Sequence, residues 1–141
     1  ESGLTMSGAG ISGAAVVRAA DAMLYALGGD EITVVFPLVA LPNDPSAQLG
    51  LVDPGVQQVT FSPVVVRSLT TPSTGPRRRL EFLISSSAVS EAVVSQNVAS
   101  AEALFESALG VTYDNDLFHI EDVITEYFAG TPYLYKVTAV E

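Results

Sequence analysis

His119 is the only histidine, and Glu121 follows it in a run that alternates like a strand, which would set imidazole and carboxylate on one face. Such a pair joined to a serine could run acyl hydrolysis. That chemistry also needs the nucleophile on a strained turn, and the chain has no Gly-x-Ser-x-Gly. His119 is therefore read as an ordinary strand residue. Asp114-Asn115-Asp116 begins like a calcium loop, but the positions that require glycine and a bidentate glutamate fall on His119 and Thr125. Turn chemistry explains the triplet better. With Cys 0, disulfides and thiolate metal sites are excluded. No phosphate-binding loop, dinucleotide fingerprint or His/Cys metal set is present. The sequence thus predicts no catalytic residue, no cofactor and no metal, and a protein that is not an enzyme.

Arg77, Arg78 and Arg79 form the one basic cluster. Three arginines are too few for a nucleic-acid site on a chain of net charge −10. Two uses remain open. They could pair with the acidic half of a neighbouring copy, since opposite patches on one molecule favour head-to-tail association and closed rings. Or they could pair within the chain, for instance with Glu81. The acidity is unevenly placed. Over residues 14–80, Arg18, Arg67 and the triplet offset Asp21, Asp30, Glu31, Asp44 and Asp53. Beyond residue 80 only Lys136 opposes Glu81, Glu91, Glu102, Glu106, Asp114, Asp116, Glu121, Asp122, Glu126 and Glu141. Such a field repels phosphate backbones. It serves solubility, or a surface that must not hold nucleic acid passing nearby.

The elements that must position these groups follow from periodicity. Ala14–Leu27 reads as a helix with Val17, Ala20, Leu24 and Leu27 on one stripe, an Arg18–Asp21 pair beside it, and Gly28-Gly29 as its stop. Glu31–Phe36 alternates as a strand that Pro37 ends. Gln57–Arg67 is a strand interrupted at Pro63, which implies a bulge or an edge. It should pair with Arg79–Ser85 in a long hairpin across the turn-rich residues 68–76. Residues 87–109 read as helix in two pieces, the second capped by Ser100 and stopped by Gly110; the β-branched first piece also suits a strand. A meander closes the chain: Val111–Tyr113, a tight turn at 114–116, Leu117–Phe128, a turn at 129–131, and Tyr133–Val140.

Helix, strands, helix, strands without strict alternation predicts an α+β fold. The sheet is antiparallel and curls into a small β-barrel, with an N-terminal helix and a central helix. Residues 1–13 are expected to be a flexible arm, or in part a cloning remnant if Met6 is the native start, and 14–141 a single domain. The longest charge-free stretch, 2–17, is too rich in glycine and serine to span a membrane and lacks the pattern of a signal peptide.

Residues 41–56 form a long Pro- and Gly-bearing connection that carries Leu41, Leu49, Leu51 and Val52. An idle solvent loop needs no such apolar groups. They dock on a neighbouring subunit or pack on their own sheet. Charged residues are only 16% of the chain, so much of its surface is cheap to desolvate and is expected to be covered by sister copies. The expected interface residues are Leu41, Leu49, Leu51, Val52 and Arg77, Arg78 and Arg79.

From residue 103 to the end, ALFESALG, VTYDNDLFHIEDV and EYFAGTPYLYKVTAVE set a short helix before a terminal meander. This pattern, over about 40 residues, resembles the small neck proteins of tailed bacteriophages and prophages: head–tail connector, head-completion and tail-terminator proteins. The resemblance implies a homo-oligomeric ring at the head–tail junction or tail, around a channel that DNA traverses. It implies neighbouring neck or tail proteins as partners, no specific nucleic-acid binding, no membrane, and a place in the virion or, during assembly, the host cytoplasm. It brings no catalytic residues. The alternative is a monomeric, non-catalytic β-rich binding module, extracellular or periplasmic.

Overall fold

The structure is a computed structural model that describes residues 12–37, 55–69 and 77–141. In chain order the elements are α1 (Gly13–Ala26), β1 (Asp30–Pro37), β2 (Val56–Ser68), β3 (Arg79–Ser85), α2 (Ser86–Ser95), α3 (Ala101–Ser107), β4 (Gly110–Tyr113), β5 (Asp116–Phe128) and β6 (Thr131–Val140). The strands close into an antiparallel barrel in the order β1-β2-β3-β6-β5-β4. The fold is the expected α+β barrel. Of the expected arm at 1–13, residues 1–11 lie outside the described residues, as do the apolar residues Leu41, Leu49, Leu51 and Val52 and positions 70–76 of the turn-rich tip; Ser12 and Gly13 belong to α1, as its cap and first residue.

Alternation fills the barrel. Ile32, Val34 and Phe36 on β1, Phe61 and Val64 on β2, and Leu80, Phe82 and Ile84 on β3 point inward. Val111, Phe118, Tyr135, Val137 and Ala139 complete the ring. Phe82 meets Tyr113 and Phe118 edge-on at centroid distances of 5.9 and 6.3 Å. Each fully buried phenylalanine is worth about 1.5–3 kcal/mol over its exposed state. Val89 and Ala92 of α2 and Leu104 and Phe105 of α3 join the same core.

α1 lies outside the barrel against β6, β2 and β3. Its predicted stripe is half used: Ala20 and Leu24 are buried, whereas Leu27, past the helix end, is exposed. The expected Arg18–Asp21 pair does not form. Asp21 instead accepts from the hydroxyls of Ser85 at 2.6 Å and Ser87 at 2.9 Å. Ser85 is fully buried at the β3–α2 junction and also caps α2 by accepting from the Ser87 and Ala88 amides. That cap settles the ambiguous first piece of the central helix as helix. Ser100 caps α3 as expected, accepting from the Ala103 amide at 3.1 Å.

Three irregularities shape the barrel. Between the pairs Asp30↔Val64 and Ile32↔Phe61, β2 holds one residue more than β1, so Pro63 sits in a bulge where its missing N–H costs no ladder bond. Between Ile120↔Ala139 and Asp122↔Thr138 the extra residue is Glu121. Between Glu126↔Leu134 and Tyr127↔Pro132 it is Tyr133. Gly110 is not the helix stop expected for it. α3 ends at Ser107, and Gly110 opens β4, where a Cβ would come within 2.8 Å of both the Leu117 side chain and the Phe118 carbonyl oxygen.

Candidate functional site

The arginine triplet is occupied within its own chain. The Arg77 Nε donates to the Glu141 backbone oxygen at 2.8 Å. Arg78 forms ion pairs with Asp116 and, at 3.4 Å, with Glu141, and its guanidinium lies 5.1 Å from the Phe118 ring centroid. Arg79 grips Glu121 two-handed: Nη2 donates at 3.1 Å and Nε lies 2.9 Å from the other carboxylate oxygen. Intrachain pairing, one of the two uses open to the triplet, is present. The partner is not Glu81, which pairs with Arg67 at 2.8 Å. The acidic half does bind these arginines, but it is the chain's own. The bond from Arg78 holds the Glu141 carboxyl below its ordinary value of 4.5.

Three carboxylates without an ion pair among the described residues, Glu102, Glu106 and Asp122, meet elsewhere. A groove of about 540 Å³ runs between α3 and β5. Its apolar lining is Phe105, Ala108, Leu109, Ile120 and Val123; its polar lining is Glu102, Glu106, His119, Glu121 and Asp122. The Glu121 bulge makes this mixed wall. Ile120 and Val123 both pack against the core, which strict alternation forbids and the extra residue permits. His119 and Glu121 do reach one groove, as their spacing suggested, but the Glu121 carboxylate is claimed by Arg79. Glu102, Glu106 and Asp122 carry no ion pair among the described residues. Beneath the groove, Tyr135 packs its ring 5.9 Å from that of Phe105. Burial, reinforced by the Glu102 charge, raises the Tyr135 pKa.

Sequence reading found the acidic excess but not this address. Glu102, Glu106 and Asp122 come from a helix and a strand, and no spacing rule links them. A smaller hollow between α1 and α2, lined by Ala14, Val17, Arg18, Ser87 and Ser90, holds no carboxylate. Among the described residues no group of three or more His, Cys, Asp or Glu could hold a metal ion, and no helix is long and apolar enough to cross a membrane. Comparison with protein-family models, curated proteins and solved structures finds no match.

Several large apolar side chains face outward. Met23, Tyr25 and Leu27 do so at the end of α1, Val94 on α2, and Ile124, Tyr127 and Phe128 toward the β5–β6 turn. Val94 is 79% exposed and Tyr25 and Leu27 62% each, well beyond what packing within the barrel uses.

Proposed function

We propose that this protein is a structural, non-catalytic subunit of a phage or prophage-like particle, assembling as a homo-oligomeric ring at the head–tail junction or in the tail. One observation carries the reading: a closed barrel whose inner face is filled still presents Met23, Tyr25, Leu27, Val94, Tyr127 and Phe128 to solvent. Apolar groups of this size are what subunit interfaces bury. The scarcity of charge, at 16% of residues, points the same way, as does the likeness of the terminal helix and meander to phage neck proteins. The acidic side chains that stay unpaired around α3 suit a surface that repels a passing DNA backbone.

The alternative of a monomeric binding module is favoured by a different observation. The arginine triplet is already engaged within the chain, so head-to-tail pairing of opposite charges between copies has little to draw on. Sedimentation velocity over a wide concentration range separates the two. A ring gives a discrete higher species that negative-stain microscopy shows as closed. A monomer at every concentration, alone and with phage neck proteins added, would reject the ring.

A further inference from the structure

The two neighbours of β5 pair with successive stretches of it. β4 covers Asp116 to Phe118 on one side, and β6 runs along His119 to Phe128 on the other. Among the described residues no strand pairs with the outer edge of β5 beyond Phe118. A free edge inside a concave site is where an extended peptide can add as a strand. The α3–β5 groove lies along this edge, from His119 to Val123.

We propose that the groove binds an extended segment of another protein in which basic and apolar residues alternate, the segment adding as a strand to the open edge of β5. Apolar side chains would extend the row of Ile120 and Val123 and pack on Phe105 and Leu109. Basic side chains would meet Asp122 on the other face and Glu102 and Glu106 on the helix wall.

Charge decides the occupant. Arg67, Arg78, Arg79 and Lys136 are ion-paired within the chain, and Arg77 donates to the Glu141 backbone. Arg18 is the one described cation left over, so a second copy brings little to an acidic rim and adds a net charge of −10. The chain's own residues 1–11, 38–54 and 70–76 contain no lysine or arginine. Neither source supplies the cations, so a different protein must. This inference does not depend on ring assembly: a ring could form with the groove empty, and a monomer could fill it.

The test is a titration of the full chain with a synthetic peptide of alternating lysine and valine, and with its glutamate–valine counterpart, read by fluorescence anisotropy and amide hydrogen exchange. The lysine peptide should bind saturably and protect the amides between His119 and Ile124. Neutralising the rim with Glu102→Gln, Glu106→Gln and Asp122→Asn together should weaken it about tenfold, the sum expected of three exposed charge contacts. Equal binding of the glutamate peptide overturns the proposal, as does saturation without protection of those amides. It also fails if they become protected with rising protein concentration alone, which assigns the edge to a second copy. Protection already present in the free chain and lost on deleting residues 40–52 assigns it to the chain itself.

Discussion

Asp21 shows how one side chain can anchor an element. It is the acceptor for the hydroxyl of Ser85, a fully buried group with no water to turn to. Asp21→Ala should lower stability to urea by about 1–3 kcal/mol, the cost of leaving a buried polar group unpaired. Ser87→Ala should cost less, because Ser87 is exposed. At the other end of the chain, Arg78 depresses the Glu141 carboxyl. A depressed carboxyl contributes stability above its unfolded-state pKa and loses it as pH falls through the folded-state value. Urea midpoints of the parent and of Glu141→Gln should therefore differ at neutral pH and converge on acidification. Tyr135 acts at the opposite extreme. Its pKa is raised chiefly by burial, so the folded state holds a proton that the unfolded state releases first. Stability should decline above pH 10, the ordinary tyrosine value, and Tyr135→Phe should flatten that decline in alkaline melting curves.

At the scale of elements, turns and bulges carry the architecture. The β4–β5 turn places Asp114 and Asn115 at φ 53 and 64°, a pair of positive values that type I′ hairpins demand and these residue types tolerate. The β5–β6 turn asks the same of Ala129 and Gly130, at φ 50 and 80°. Alanine bears a steric cost there that asparagine largely avoids, so Ala129→Asn should raise stability by about 1 kcal/mol in thermal or urea unfolding. Gly110 is the converse case. Its backbone is not in the left-handed region, yet Gly110→Ala should destabilise because the new methyl would press on the Phe118 carbonyl oxygen across the β4–β5 ladder. A lowered urea midpoint with an unchanged denaturant slope would be the signature of that local clash.

At the scale of the molecule, the sequence was enough for the strands, the helices and the barrel class. Period-2 runs of valine, isoleucine and phenylalanine and capping serines act over a few residues, and local rules read them. It also located most of the acidity after residue 80. What it left open was partnership at a distance. The triplet Arg77–Arg79 meets Asp116, Glu121 and Glu141 because β3 lies beside β6 and β6 beside β5. Asp21 abandons Arg18 for Ser85 at the end of β3 and Ser87 at the start of α2, because α1 packs against that junction. The bulge at Glu121, which turns a simple alternating strand into a wall of mixed apolar and acidic groups, has no residue signature of its own. Register and neighbour choice are set by how every strand fits when the barrel closes, a condition on the whole chain that no short window contains.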